Sequence, residues 1–473
     1  MGQKPHGAPE SPTRVALATP TVGALSSSRP SRRQVFDYLS VGEIRMGSPR
    51  TFQELDEIAK KVGTPFWLID AATLRQRIRE LKAVTAPAGI QLRYAMKALS
   101  TWRVLEEMRR EGIWIDAVSG NEVLRALRAG YTAGNNPPQI VLTADVFRDN
   151  ALQVVLEHGI LPNVGSPGMV AELRSAGYRG PIAIRVNPGF GHGHVNACDT
   201  GGPSSKHGIW YEYLEPTLAE AEAAGMQVVM LHAHIGSGPK IEELLANLER
   251  LACEFAALAP RIPHLEAVSL GGGIPHTYKE FEPPVEIQPL AQLFVEARKV
   301  IEGGAGHPLR IEIEPGRYFV APCATLVARV TDVKRTGTNE KGTGQTFVMV
   351  DAGFVDLIRP AMYGSYHRMS VVGRGAGNPP HDVVVAGPLC ESGDVFTRDA
   401  SDFIAPRRLP RPERGDFLCI HDGGAYGYVM SSNYNSLGRA PQVWVEEDGS
   451  RVLISRRETL EDVVKLETDE PLS

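Results

Sequence analysis

From about residue 70 the chain alternates between two kinds of segment. Eight short apolar, β-branched runs occur at 92–97, 113–119, 140–145, 160–165, 181–187, 228–235, 267–271 and 309–314. Between them lie stretches with helical spacing of apolar positions, among them Trp102 to Arg110, Asn121 to Ala129, Leu214 to Ala224 and Ile241 to Leu258. Strand, helix and strand in repeated succession imply parallel pairing through crossover helices. Eight such units in ~250 residues have the size of a closed (β/α)8 barrel of the TIM type. An open, doubly wound sheet is the alternative, and no dinucleotide fingerprint follows the first run to support it.

The texture changes past about residue 323. Val-rich runs at 347–354, 382–388, 416–421, 442–446 and 451–455 read as strands, and Asp448-Gly449 between the last two is a hairpin signal. The pattern predicts an α/β barrel over 70–322 with a second, mainly β domain built from 36–69 plus 323–473. Residues 1–35 read as a disordered extension, with Pro5, Pro9, Pro12, Pro20 and Pro30, a Ser26-Ser27-Ser28 run and Glu10 as the only acid.

Charge and cysteine content narrow the function classes. The 473 residues carry 50 Lys plus Arg against 55 Asp plus Glu, a net charge of 50 − 55 = −5. No concentrated basic face for nucleic acid or an anionic membrane follows from this balance. No run approaches the ~18 apolar residues of a membrane span. The five cysteines, at 198, 253, 323, 390 and 419, are widely spaced and form no CxxC, so neither a disulfide framework nor a thiolate zinc site is expected. A reducing compartment, the cytoplasm, fits best.

Candidate chemistry gathers at the carboxyl ends of the barrel runs, where barrel enzymes build their sites. Lys97, Asp116, Asp145, Asn163, Arg185, His234, Gly271-Gly272-Gly273 and Glu314 all fall there. A strand-end lysine, partly desolvated, can form an imine, although a solvated strand-end lysine is the plainer reading. The glycine run presents backbone N–H groups that can hold phosphate, or simply makes a tight turn. His232 and His234 share a strand face and can be read as a metal pair, as can His192 and His194. No HExxH motif or carboxylate cluster accompanies either pair, and an imidazole can equally stack on a flat cofactor while Ser237 donates to its phosphate. Glu314 can face a protonated ring nitrogen, and Arg317, just past Gly316, can fork onto a carboxylate or phosphate. In the β domain Cys390-Glu391-Ser392 offers a thiol, an acid and a hydroxyl in sequence, Tyr426 a phenol, and Arg359 with Tyr363 a further cation and phenol. Each signal alone has a bland explanation. Together they supply an imine-forming lysine, a phosphate cradle, a stacking histidine, a ring-nitrogen carboxylate and substrate-carboxylate arginines, the set that pyridoxal phosphate needs.

Arg185 to Trp210, His232 to Gly238, Glu314 to Arg317, Val383 to Thr397 and Asp422 to Asn435 are similar to the motifs of the fold-type III pyridoxal-phosphate-dependent amino-acid decarboxylases. The resemblance runs from about Phe52 to Leu466. It implies the barrel-plus-β architecture of alanine racemase and ornithine decarboxylase, no metal, and a small amino-acid substrate. Within the family the motifs most resemble members that take meso-diaminopimelate to lysine and CO2; D-ornithine, D-lysine or a siderophore intermediate are the alternative substrates, and a non-catalytic homologue, disfavoured by the presence of Lys97 and Cys390, is the remaining alternative. It further implies that Lys97 binds the cofactor aldehyde. Asp116, His234, Ser237, Gly272, Gly273, Glu314, Gly316, Arg317 and Tyr426 would hold the cofactor. Arg317, Arg359, Tyr363, Glu391, Ser392 and Tyr426 would bind substrate, and Cys390 would return a proton. In this family the cysteine and the following acid reach the site from a second copy, so the resemblance implies a homodimer with shared active sites.

Overall fold

The computed structural model describes residues 50–191, 200–236 and 240–470. The 1–35 extension, His192, His194, Cys198 and Ser237 lie outside the described residues. Thr51 begins the first helix, α1 (Phe52–Val62), with a reciprocal cap: its hydroxyl accepts from the Glu54 N–H, and the Glu54 carboxylate accepts from the Thr51 N–H. Strand β1 (Phe66–Asp70) follows, and the Asp70 carboxylate caps α2 (Ala71–Thr85) by accepting from the Thr73 N–H at 2.8 Å.

The barrel comes next: β2 (Gln91–Ala95), α3 (Trp102–Arg110), β3 (Trp114–Ala117), α4 (Gly120–Arg128), β4 (Ile140–Ala144), α5 (Ala151–His158), β5 (Leu161–Val164), α6 (Pro167–Ser175) and β6 (Pro181–Asn187). After a short β7 (Ile209–Trp210) it continues through α7 (Leu214–Ala223), β8 (Gln227–His232), α8 (Ile241–Leu258), β9 (Ala267–Ser269), α9 (Pro289–Ala305) and β10 (Arg310–Ile313). The eight expected runs return as eight parallel strands in the order β2-β3-β4-β5-β6-β8-β9-β10, and β10 pairs with β2 to close the ring, with β7 added to the end of β6.

Strand parity sorts the interior. Val141, Leu161, Ala183, Met230 and Ala267 form an apolar cluster of their own, separate from the core between strands and helices. They therefore face inward. Two residues further along the same strands, on the same face, stand Thr143, Asn163, Arg185, His232 and Ser269, all buried. The inward face thus turns polar toward the carboxyl ends. Nearer the amino end, Arg93 on β2 and Glu312 on β10 form a fully buried ion pair at 2.9 Å, and the Arg93 guanidinium also donates to the carbonyls of Ile115, Pro138 and Gln139.

The chain leaves the barrel through α10 (Arg317–Val320) into β11 (Ala324–Arg335), β12 (Thr346–Val350), α11 (Arg359–Tyr363), β13 (Met369–Val372), β14 (Pro380–Ala386), β15 (Arg407–Pro410), β16 (Phe417–Ile420), β17 (Gln442–Val445), β18 (Arg451–Ser455) and α12 (Leu460–Val464). The second sheet runs β15-β14-β12-β11-β1-β17-β18, with β16 pairing β11 and β13 pairing β16. The Asp448-Gly449 turn joins β17 to β18 as an antiparallel hairpin, with Gly449 at φ 82°. The strands β1, β11, β13 and β15 were not expected as strands: β1 preceded the regular alternation, and β11 mixes apolar and charged positions where its outer half is exposed. No helix among the described residues is long and apolar enough to cross a membrane.

Candidate active site

The carboxyl ends of the barrel strands surround a cavity lined by Ala95, Lys97, Asp116, His234, Gly272, Gly273, Ile274, Glu314, Gly316, Arg317 and Tyr426. Sequence reasoning had singled out all of these but Ala95 and Ile274. Asp145, Asn163 and Arg185 are not among the lining residues. The Asp145 carboxylate accepts from His207 Nδ1 at 2.6 Å and the Gly208 N–H at 3.1 Å, while Asn163 donates to Thr143 at 3.1 Å.

Lys97 departs from expectation in its setting. It sits not on the strand but in a single 3-10 turn, Met96–Ala98, and its side chain is exposed toward the cavity rather than desolvated. A strand-end residue placed in a tight turn at the mouth is open to a ligand. Beneath it, the Glu314 carboxylate is buried and doubly held: His232 Nε2 lies 2.8 Å from one oxygen, and Ser269 donates to the other at 2.7 Å. Burial alone would raise its pKa; the His232 charge and hydrogen bond, with the Ser269 hydroxyl, outweigh burial and hold it down at about 2. Asp116 has the opposite fate. Burial, reinforced by the Glu314 charge, pushes its pKa up to about 7 against the pull of Lys97 and a hydrogen bond from Thr143, and its Oδ1 is buried without a partner. The two carboxyls are set apart by their surroundings, one anionic and one poised near neutrality.

The His234 ring accepts from the Gly272 N–H at Nδ1, 3.2 Å away, so its proton resides on Nε2. Burial, then the charges of Lys97 and Arg185, keep the imidazole well below its ordinary pKa and therefore neutral. The glycine turn beside it has no room for side chains: a Cβ at Gly272 would lie 2.4 Å from the Glu314 carbonyl, and Gly273, at φ +113°, would meet the Gly236 carbonyl at 2.5 Å. An exposed amine, an anionic carboxylate, a flat neutral imidazole, a backbone cradle and an orphaned buried carboxyl oxygen together suit pyridoxal phosphate.

Next to the cavity a cationic cluster forms that sequence reasoning reached only in part. Arg317 donates to the Tyr278 hydroxyl at 3.0 Å and lies over the Tyr426 ring, 5.3 Å from its centroid. Arg359, buried at the start of α11, stands 5.0 Å from the centroid of the Tyr278 ring and donates to His367 Nε2 at 3.1 Å; Tyr363 closes the same short helix. Tyr278 and His276 arrive on the irregular 270–288 connection between β9 and α9, and His276 is bonded to Asp422, itself gripped by both nitrogens of the Arg368 fork at 2.8 and 3.0 Å. These residues were missed. The available signal was a histidine and a tyrosine five and seven residues past Gly271, in a loop that had no assigned role.

Cys390, Glu391 and Ser392 are exposed and do not line the cavity; the Cys390 N–H donates to Asn435 Oδ1 at 3.2 Å. Among the described residues no group of three or more His, Cys, Asp or Glu is placed to hold a metal ion, and His232, one half of the metal pair considered above, is engaged with Glu314.

Comparison with known proteins gives the geometry a context. Residues 71–321 match the family signature described as the pyridoxal binding domain of pyridoxal-dependent decarboxylases. The chain is 44% identical to the diaminopimelate decarboxylase of Streptomyces coelicolor over 414 residues, 87% of this chain and 91% of that protein. A diaminopimelate decarboxylase crystal structure superposes with TM-score 0.80 at 39% identity, covering 89% of this chain and 98% of that one. The enzyme from Helicobacter pylori complexed with L-lysine superposes with TM-score 0.76 at 29% identity, covering 87% and 98%.

Proposed function

The chain belongs to the pyridoxal-dependent decarboxylase family, and from that premise we propose that it removes one carboxyl group from meso-2,6-diaminopimelate, releasing L-lysine and CO2. The observation that carries the reading is the meeting, in one cavity, of the Lys97 amine, the anionic Glu314 and Arg317, with Arg359 close behind. The relatives of matching length are named for this substrate.

The chemistry supplied by bound pyridoxal phosphate is an electron sink for the pair left when CO2 departs. The protein residues prepare and use it. Lys97 would offer the amine that tethers the cofactor at the mouth of the barrel. Glu314, kept anionic by His232 and Ser269, holds a proton on the ring nitrogen. His234 presents a flat neutral face. The glycine turn at 271–273, with Gly316 and Tyr426, would hold the phosphate, and the family resemblance assigns Ser237, outside the described residues, to the same task. Arg317, Arg359 and Tyr363 take the carboxylate remote from the reacting centre, which is the one retained in lysine.

Cys390 of a second copy returns a proton to the carbon that lost CO2, while Glu391 and Ser392 of that copy hold the distal amine. Their exposure, away from this chain's own cavity, supports a homodimer with shared sites. Residues 70–322 act as the cofactor barrel, and the described part of the expected β domain, 50–69 with 323–470, as the second domain; the place of β1 between β11 and β17 supports that division. The four described cysteines are free thiols, which supports a cytoplasmic location. Incubation with pyridoxal phosphate and meso-diaminopimelate, with lysine and CO2 measured, tests the substrate. Lysine formation is expected; failure beside turnover of D-ornithine or D-lysine would overturn the assignment.

A further inference from the structure

We infer that Tyr278 is a positioning residue that sets substrate specificity, by fixing Arg317 and Arg359 relative to one another for the carboxylate at the far end of the substrate. The inference rests on the proposed role of those two arginines and adds the residue that organises them.

Two guanidinium groups converging on one carboxylate repel each other until the ligand arrives, so something neutral must keep them in place. Tyr278 does so with both of its faces of chemistry. Its hydroxyl accepts from Arg317 Nη1 at 3.0 Å, and its ring offers π density to Arg359, 5.0 Å from the centroid, and to Arg317 at 5.8 Å. The ring is itself wedged edge-on against His276, at 4.9 Å, and His367, at 5.5 Å. His367 completes the arrangement from the other side. Its Nε2 accepts from Arg359, so its proton is on Nδ1, which donates to the His421 carbonyl at 2.9 Å. The tautomer is fixed by the backbone, and Arg359 is held between a ring face and an imidazole nitrogen. Tyr278 thus touches both arginines, one through a hydroxyl lone pair and both through its ring face. Although burial opposes it, the nearby Arg317 and Arg359 charges lower the Tyr278 pKa, as expected for a phenol that shares their field.

The distal carboxylate is bound equally before and during the loss of CO2, so weakening its grip raises KM and leaves kcat nearly unchanged. L-lysine retains that carboxylate and cadaverine lacks it, which gives a matched pair of inhibitors. In the holoenzyme, Tyr278→Phe, which keeps the ring and loses the hydroxyl, is expected to raise the KM for meso-diaminopimelate and the Ki for L-lysine together by about tenfold. Tyr278→Leu, which loses the ring as well, is expected to raise both further. Inhibition by cadaverine and the visible absorbance of bound cofactor stay as in the parent. Loss of kcat and cofactor with no selective change between lysine and cadaverine would mark a merely structural tyrosine and overturn the inference. Arg359→Gln separates the two levels of the argument. If it raises the lysine Ki while Tyr278→Phe does not, the positioning role fails and the arginine assignment stands. If Arg359→Gln leaves lysine binding unchanged, the arginine assignment fails, and the inference with it.

Discussion

Glu312 and Glu314 stand two residues apart on the same inward face at the end of one strand, and they do opposite work. Glu312 is saturated with cations: Arg93 reaches one oxygen at 2.9 Å and Arg310 the other at 2.7 Å, and both Glu312 and Arg93 are fully buried. Nothing is left for a ligand. Glu314 is held by an imidazole and a hydroxyl, one bond to each oxygen, and keeps acceptor capacity toward the cavity. The lower layer of the barrel is closed by ion pairs; the upper layer lines the cavity. One step of strand parity therefore separates a carboxylate whose partners all belong to the fold from one that also lines the cavity.

The largest effect that can break this division is at Lys97. Replacing Lys97 with Ala is expected to abolish turnover and the visible absorbance of bound cofactor while leaving the thermal unfolding of the protein near that of the parent, because the side chain is exposed. Borohydride treatment of the loaded parent should fix the cofactor on Lys97. Label on another lysine would dismantle the assignment of the upper layer.

The two glutamates give the sharpest contrast. Glu314→Gln removes the charge facing the ring nitrogen and is expected to lower kcat by about 10²–10³-fold in the molecules that remain folded. Glu312→Gln strands a buried guanidinium and is expected to cost about 3–5 kcal/mol in denaturant unfolding, while the molecules that remain folded turn over at close to the parental rate. If the two variants exchange these phenotypes, the reading of the layers is reversed.

Much of this arrangement was legible before any coordinates. The eight inner strands are visible as β-branched runs, and the alternation of Arg310, Glu312 and Glu314 with Ile311 and Ile313 puts Glu314 on the polar face at the mouth of the site. The glycine turn and Lys97 were legible as chemistry only in company with the other strand-end residues, because each alone has a plainer reading. What stayed hidden depends on contacts between distant segments. Tyr278 meets Arg359 across 81 positions of chain, a difference of 359 − 278, and only the closed barrel against the second sheet brings them together. His232 looked like half of a metal pair because alternation reports a shared face and not a partner; the partner, Glu314, lies on a different strand. β11 was missed because a strand that is buried in its first half and exposed in its second carries no single hydrophobic pattern.

Cys390 tests whether the upper layer is completed by a second copy. Cys390→Ala is expected to cut kcat by about 10²-fold, as for a lost proton donor, with cofactor absorbance unchanged. Mixing this variant with Lys97→Ala under conditions that allow exchange should restore about a quarter of the parental activity, since half the dimers would then hold one intact site. No recovery in demonstrably mixed dimers would place the thiol and the lysine of a working site on one chain.

The smallest expected effect is on stability, and it runs against intuition. Asp116 has its pKa raised from 3.8 to about 7, chiefly by burial and then by the Glu314 charge. Between those two values the folded protein binds a proton that the unfolded chain has released, so stability falls as pH rises through the window and levels off above about 7. This is the reverse of a salt-bridged carboxylate, whose contribution is lost as pH falls. Asp116→Asn carries no charge to desolvate and should flatten that decline, gaining stability over the parent at pH 8 and little at pH 4, measured by urea unfolding of cofactor-free protein. The lower layer supplies the control: Glu312 is already satisfied by two guanidinium groups, and its substitution should cost stability at both pH values. A decline that persists unchanged in the asparagine variant would show that Asp116 is not the strained carboxyl of the upper layer, and that its orphaned oxygen has a partner in solution.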